Sequence, residues 1–128
     1  MSVILDASAV LAVILAEEGA DVVLRHMSGA HLATVNLSET MAKLMEYGLS
    51  VENAQQQIGR LELNVHDFNS EQAERTAILR GSTKQFGLSL GDRACLALSQ
   101  SMDLPVLTSD RRMAEANVVI GLDIRLIR

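Results

Sequence analysis

Four acidic residues in this chain are placed where their side chains could share one site: Asp6, Glu39, Asp92 and Asp110. Each is predicted to lie at the end of a strand or the start of a helix, within a short run of small or hydroxyl-bearing residues. Carboxylates gathered from distant parts of a chain repel one another, by roughly 4 kcal/mol per pair at 4 Å with an effective dielectric near 20. Such a cluster therefore requires a divalent cation or a shared proton.

The elements that would position these acids are predicted to alternate along the chain. The predicted strands are 2–6, 31–35, a weaker 63–66, 106–108 and a last one within 118–127; the predicted helices are 9–16, 20–28, 36–47, 50–61, 70–84, 90–102 and a short one after Asp110. Alternation of this kind is typical of an α/β fold with a mostly parallel sheet covered on both faces. Because ligands of such sheets collect beyond the carboxyl ends of the strands, one crevice could hold all four acids.

The size and composition of the chain fit one compact domain over residues 1–128, since 48% of the residues are hydrophobic. The longest apolar stretch, 9–16, is too short to cross a bilayer, and Asp6 interrupts the run before it. We therefore expect no membrane span, no signal peptide and a cytoplasmic location. The single cysteine, Cys95, cannot form an intrachain disulfide and is expected to be a small buried hydrophobe.

The formal net charge of -5 argues superficially against a nucleic-acid partner, because phosphate binding usually shows as a basic surface. Without the four acids named above the charge is only -1, and two bound divalent cations would bring the whole chain to the same value. Net charge therefore does not decide the class of partner.

Each acid also has a structural alternative, because carboxylates at helix starts satisfy free backbone N–H groups. The segment from Asn36 to Glu39 resembles a capping box, and Lys43 is placed for a surface pair with Glu39. Asp92 could pair with Arg93, although it opens the most apolar helix of the chain, where a carboxylate is costly unless paired or metal-bound.

For the other two acids the alternatives differ in strength. Asp110 could simply cap the short helix that follows it. Asp6 is harder to explain structurally, since it ends an inner strand and is followed by the small residues Ala7 and Ser8. His26, His31 and His66 lack metal-ligand spacing, and the chain has no glycine-rich phosphate loop or serine nucleophile elbow.

Four motifs together resemble the PIN domain family, especially its toxin ribonucleases called VapC, over essentially the whole chain. They are Leu5-Asp6-Ala7-Ser8-Ala9, Asn36-Leu37-Ser38-Glu39, Leu88-Ser89-Leu90-Gly91-Asp92-Arg93 and Leu107-Thr108-Ser109-Asp110. The segment 88–98 is the most specific match. The apolar position after the fourth acid, often aromatic in this family, is Met113 here.

The resemblance implies a three-layer α/β/α PIN-like fold and a metal-dependent endoribonuclease, usually a homodimer, encoded with an antitoxin that occupies or approaches the active site. Hard carboxylate ligands suit Mg²⁺ or Mn²⁺. On this reading Asp6 and Asp92 are the principal ligands, and Glu39 and Asp110 bind the metal directly or through water. The same reading makes Ser8 and Thr108 groups that orient carboxylates, and it offers three arginines as phosphate contacts: Arg93, Arg111 and Arg112.

Two alternatives from other classes remain open. A non-catalytic PIN-fold module that binds RNA or protein would share the fold, and metal titration would distinguish it. A phosphotransfer domain using Asp6 as acceptor is disfavoured, because receivers need an acidic pair at the first strand end and dehalogenase-like proteins need an Asp at the position of Ser8.

Overall fold

The computed structural model describes residues 2–128, whose strands form one five-stranded sheet. The strands are β1 (Ile4–Leu5), β2 (His31–Ala33), β3 (Asn64–His66), β4 (Val106–Thr108) and β5 (Ile124–Leu126). Their order across the sheet is β3-β2-β1-β4-β5, and all neighbouring pairs are parallel. The predicted α/β class with a parallel central sheet is confirmed.

Helices connect these strands. They are α1 (Ala7–Ile14), α2 (Ala20–Arg25), α3 (Thr34–Glu46), α4 (Val51–Gly59), α5 (Ser70–Thr83), α6 (Leu90–Met102), α7 (Arg111–Glu115) and α8 (Asn117–Ile120), with a 3₁₀ turn at Lys84–Phe86. The bounds of α6 are those predicted. None of the helices in residues 2–128 has the length and apolar character needed to cross a membrane.

Successive residues of the inner strands point to opposite faces of the sheet, as the two-residue period of a strand requires. Ile4 and Val106 pack on one face in a cluster that includes Leu96 of α6. Leu5 and Leu107 pack on the other face, against α1 and α2. The sheet is therefore the middle layer of an α/β/α arrangement, as expected.

The inner strand β1 lies between β2 and β4. The strands that follow β1 in sequence, β2 and β3, lie on one side of it, and the later strands β4 and β5 lie on the other. Crevices form at such switch points, beyond the carboxyl ends of the strands. Asp6 directly follows β1, Asp110 follows β4 after one intervening residue, and α3 begins directly after β2. These three connections bring three of the four acidic motifs to one edge of the sheet, and Asp92 lies in the first turn of α6.

The start of α3 differs from the prediction. The helix begins at Thr34, and its N-cap is Ala33, which makes no side-chain cap. The expected capping box between Asn36 and Glu39 is therefore wrong, and Glu39 lies in the second turn of the helix. The last strand, Ile124–Leu126, lies within the predicted range 118–127, and residues 117–120 ahead of it are helical.

Candidate active site

Asp6 is the buried centre of the site. Its side chain is 5% exposed at the junction of β1 and α1, where it is the N-cap of α1. Oδ1 accepts hydrogen bonds from the Ser8 hydroxyl at 2.7 Å and from the Ala9 N–H at 2.9 Å, and Oδ2 accepts one from the Thr108 hydroxyl. Ser8 and Thr108 therefore orient this carboxylate, as the sequence suggested.

Burial raises the pKa of Asp6 to about 6 from its usual 3.8. The hydrogen bonds from Thr108, Ser8 and Ala9 act in the opposite direction, and the negative charge of Asp92 raises the pKa further. Burial therefore has the largest effect and disfavours the charged form of Asp6, which a nearby cation would stabilise.

Asp92 begins α6 as part of a capping box. Its Oδ2 accepts the Ser89 N–H at 2.9 Å, while the Ser89 hydroxyl accepts the Asp92 N–H at 3.2 Å. The expected pairing of Asp92 with Arg93 is wrong. Arg93 is buried and donates to the Thr76 carbonyl at 2.9 Å, so it does not offer an exposed phosphate contact either.

Asp110 joins the site mainly through its backbone. Its N–H donates to the Thr108 hydroxyl at 3.0 Å, and that hydroxyl donates in turn to Asp6. The Asp110 carboxylate caps α7, accepting the Arg112 N–H at 2.9 Å and the Met113 N–H at 3.4 Å. The predicted alternative, that Asp110 caps the short helix after it, is therefore confirmed, and the atom that forms the cap is Oδ1.

Glu39 lies against the start of α6. A Cβ atom added to Gly91 would come within 2.4 Å of both Glu39 carboxylate oxygens. The Asn36 amide donates to Glu39 Oε1 at 2.8 Å and to the Gly91 carbonyl at 3.1 Å. The surface pair expected with Lys43 is wrong, because Lys43 pairs with Glu46 at 3.5 Å.

Three of the acids act electrostatically on one buried thiol, that of Cys95. Burial raises the pKa of this thiol, and the negative charges of Asp6, Asp92 and Glu39 raise it further. One buried group on α6 therefore experiences the field of carboxylates that come from β1, α3 and α6. Cys95 itself is a buried free cysteine, as predicted.

The chemistry of the donor set fits a hard divalent cation, because the side-chain donors are carboxylate and hydroxyl oxygens around a desolvated negative charge. Within residues 2–128, however, no three His, Cys, Asp or Glu side chains are close enough together to coordinate one ion. Mg²⁺ usually keeps several of its waters and binds few protein carboxylates. The arrangement therefore fits an ion held partly through water.

Two histidines on neighbouring strands contact each other, although 35 positions separate them in sequence. His31 Nδ1 lies 2.7 Å from His66 Nε2. Burial, and then the proximity of His66, lowers the pKa of His31. Pairing of β2 with β3 creates this contact, which residue spacing alone did not indicate.

Sequence reasoning missed two residues of the site. Asn36 was interpreted as a helix cap, and Gly91 was given no role beyond its motif. A signal was present for each: Asn36 precedes Glu39 by three residues, which places both on one face of a helix. Gly91 falls inside a helix, where glycine is unfavourable without a packing reason.

Comparison with known proteins places this geometry in a family context. The family model described as PIN domain matches residues 3–119. No curated protein matches the chain.

Several solved structures share the fold. DNA-bound VapBC from Salmonella typhimurium is similar with a TM-score of 0.77 and 20% identity, covering 100% of this chain and 99% of that one. VapBC2 from Rickettsia felis, bound to a promoter DNA fragment, has a TM-score of 0.75 and 13% identity, covering 98% of each chain. VapBC-5 from Mycobacterium tuberculosis has a TM-score of 0.59 and 19% identity, covering 99% of this chain and 98% of that one.

Proposed function

The chain belongs to the PIN domain family, and from this premise and its acidic site we propose that it is a metal-dependent endoribonuclease. The substrate would be RNA, cleaved by hydrolysis of a phosphodiester bond in the cytoplasm. The observation that supports this most is the placement of the buried Asp6 directly after β1, where the charge of the partly exposed Asp92 raises its pKa. The exposed Glu39 lies against Gly91, the residue before Asp92.

Asp6 and Asp92 are the proposed principal metal ligands, with Glu39 and Asp110 acting directly or through water. A bound Mg²⁺ or Mn²⁺ would lower the pKa of a coordinated water and stabilise charge on the attacked phosphate. Ser8 and Thr108 hold both oxygens of Asp6 in a fixed orientation. Arg111 and Arg112 are exposed beside Asp110 and are the remaining candidates for phosphate contacts.

The decisive variant is Asp6→Asn, which preserves the shape of the side chain and removes its charge. Labelled cellular RNAs would be incubated with wild type or variant, with Mg²⁺ or with a chelator, and the fragment ends mapped. We expect wild type to cleave only with Mg²⁺ and the variant to lose cleavage while its circular dichroism spectrum stays unchanged. Undiminished cleavage by a pure preparation of the variant would refute the assignment.

Asp103→Asn is a matched control for this experiment. Asp103 is eleven residues beyond Asp92 at the other end of α6, roughly 16 Å away at 1.5 Å per residue. Its backbone has a φ of 54°, a left-handed conformation that asparagine also adopts. We expect full cleavage activity from this variant.

The competing proposal is a non-catalytic PIN-fold module that binds RNA or protein. It is favoured by the finding that no three ligating side chains of residues 2–128 meet at one point. Titration with Mn²⁺ distinguishes the two, since an enzyme of the proposed kind binds the ion in the absence of RNA. Absence of measurable binding, together with intact RNA after incubation, would favour the module.

We also propose that the protein is the VapC-type toxin of a toxin–antitoxin pair and forms a homodimer. The similarity in fold to VapBC structures supports this partner class. The expected genetic context is a small neighbouring reading frame that encodes a DNA-binding partner. Co-expression with that partner should yield a stable complex in which RNA cleavage is suppressed.

A further inference from the structure

Asn36 joins two elements of the site that are 55 positions apart in sequence. Its side-chain amide donates to Glu39 Oε1 within α3 and to the Gly91 carbonyl at the start of α6. Both partners are acceptors, so the orientation of the amide group is determined by its contacts. The residue is 1% exposed.

The contact between Glu39 and the start of α6 depends on the absence of a side chain at Gly91. The Glu39 carboxylate occupies the space where a Cβ would lie, with both oxygens 2.4 Å from that position. An alanine there would displace a flexible side-chain end and not the backbone. The helix would therefore tolerate the added methyl, while Glu39 would have to move away from the residue next to Asp92.

Stability alone does not account for Asn36. Its Oδ1 is buried and has no hydrogen-bond partner among residues 2–128. Burial of an acceptor without a partner costs stability, so an apolar residue would serve simple packing better. The hydrogen bonds from its amide group to Glu39 and to the Gly91 carbonyl explain why this residue is polar.

We infer that Asn36 is a positioning residue that, together with Gly91, holds the Glu39 carboxylate against the start of α6, at the residue before Asp92. This inference rests on the proposed metal-dependent function and adds the residues that specify the geometry of one ligand. Removing the Asn36 amide leaves Glu39 chemically intact but free to change rotamer. Adding a methyl group at Gly91 leaves the amide intact but excludes the carboxylate from its position.

The test uses Asn36→Ala and Gly91→Ala in the full chain, with two readouts. The first is the dissociation constant for Mn²⁺ measured by calorimetric titration without RNA. The second is the separate determination of kcat and KM for RNA cleavage. We expect each variant to bind Mn²⁺ at least about 10-fold more weakly and to lose kcat by a similar factor, with KM changed by less than about 2-fold.

Two matched controls separate positioning from general damage. Thr40→Val removes a buried hydroxyl one turn along α3 from Asn36. This hydroxyl donates to the Asn36 carbonyl at 2.7 Å, and among the described residues it forms no hydrogen bond with Glu39. Gly81→Ala makes the same change as Gly91→Ala in a helix, at a position where an added Cβ meets nothing within 4 Å. We expect Mn²⁺ affinity within about 2-fold of wild type for both.

Measurements on the Glu39→Gln variant test whether Asn36 acts on metal binding through Glu39. If Asn36 acts through Glu39, then adding Asn36→Ala to Glu39→Gln weakens Mn²⁺ binding by less than a further 2-fold or so. The inference would be overturned if the losses of Mn²⁺ affinity from Glu39→Gln and Asn36→Ala multiplied in the double variant. It would also be overturned if Asn36→Ala and Gly91→Ala bound Mn²⁺ as wild type does.

The single variants separate this inference from the proposed function. If Glu39→Gln alone loses Mn²⁺ binding while Asn36→Ala and Gly91→Ala keep it, only the positioning role fails. If Glu39→Gln behaves as wild type, Glu39 is not a ligand, and that part of the proposed function fails with it.

Discussion

The ionisation of Asp6 is governed by two opposing features of its surroundings. Burial favours the neutral acid, and donors on both of its oxygens favour the carboxylate. Burial prevails and the pKa rises to about 6. Without a metal ion, the charged form of this residue therefore destabilises the folded protein.

This shift predicts how stability depends on pH. Because the pKa in the folded protein, about 6, exceeds the usual 3.8, the folded state binds more protons than the unfolded state between these values. The stabilising contribution is complete below about pH 4 and is lost as the pH rises through 6. Relative to Asp6→Asn, wild type should lose about 2 kcal/mol of unfolding free energy between pH 4 and 7.

Urea denaturation of both proteins in a chelator, across this pH range, measures the difference. The Asp6→Asn variant serves as the reference, since it cannot titrate at this position. A difference that does not vary with pH would show that the burial of Asp6 has no such effect. Saturating Mn²⁺ should flatten the dependence, because metal binding favours the deprotonated ligand.

Thr108→Val tests the hydroxyl that connects two acids of the site. Thr108 is fully buried, donates to Asp6 and accepts from the Asp110 N–H. Its replacement removes a hydrogen bond to a charged group and leaves a backbone donor without its partner. We expect the unfolding free energy at pH 7.5 to fall by about 2 kcal/mol, measured by urea denaturation.

Thr76→Val is the control for that measurement. Thr76 is 1% exposed, and its hydroxyl has no hydrogen-bond partner among the described residues. The same substitution should therefore leave stability unchanged or raise it slightly. Equal losses of unfolding free energy in Thr108→Val and Thr76→Val would mean that the hydrogen bonds of Thr108 do not stabilise the fold.

At the scale of the element, the three aspartates proposed as metal ligands all take part in capping a helix. Asp6 caps α1, Asp92 completes the capping box of α6 and Asp110 caps α7, each through one carboxylate oxygen. A cap and a site residue are thus the same group. The structural and functional readings of these acids are not exclusive.

Ser89→Ala tests the start of α6. Loss of its hydroxyl removes a cap from the Asp92 N–H and loosens the capping box, so we expect about 1 kcal/mol lower stability. Because Asp92 loses its fixed position, RNA cleavage should fall as well. Thermal unfolding and the cleavage assay measure the two effects.

Ser50→Ala is the matched control, since Ser50 caps α4 by accepting the Asn53 N–H at 3.1 Å. It should lower stability by a similar amount and leave cleavage unchanged. A loss of cleavage in this variant as large as that in Ser89→Ala would mean that activity follows overall stability.

The extent of α6 was predictable because a long apolar run with a serine cap agrees with its buried position. The start of α3 was not predictable, because Asn36, which resembles a helix cap in the sequence, forms a hydrogen bond to another helix instead. Asn36 bonds to Gly91 and Glu39, while Thr34 accepts the Phe68 N–H at 3.0 Å. Tertiary contacts of this kind override local capping preference, and residue spacing does not reveal them.

At the scale of the whole molecule, the two hydrophobic clusters that cover the faces of the sheet share the inner strands. Ile4 of β1 belongs to one cluster, and Leu5 to the other. The same division separates Val106 from Leu107 in β4. Neither face can lose its packing without disturbing the strands that support the opposite face.

We therefore predict that the chain unfolds as a single domain. Scanning calorimetry should give one transition whose calorimetric and van't Hoff enthalpies agree, as for small two-state domains. Two resolved transitions would contradict the single-domain prediction. The experiment belongs in a chelator at constant pH, so that metal release does not add a second step.

The alternation of strands and helices was sufficient to predict a parallel sheet with both faces covered. The spatial order of the strands was not predicted, because sequence position does not state which strands become neighbours. The contact between His31 and His66 illustrates this limit, since it arises only once β2 pairs with β3. The placement of Asp6, Glu39 and Asp110 after parallel strands was predictable for the same reason that the sheet was, whereas Asp92 lies on a helix that follows a 3₁₀ turn.

The double use of the aspartates has a consequence for how this fold can change in evolution. Asparagine initiates helices as well as aspartate does. Under the proposed function, exchange of acid for amide at position 6 or 110 would therefore remove a metal ligand and keep the helix cap. Such a descendant would retain the fold and its binding surfaces without the proposed cleavage activity.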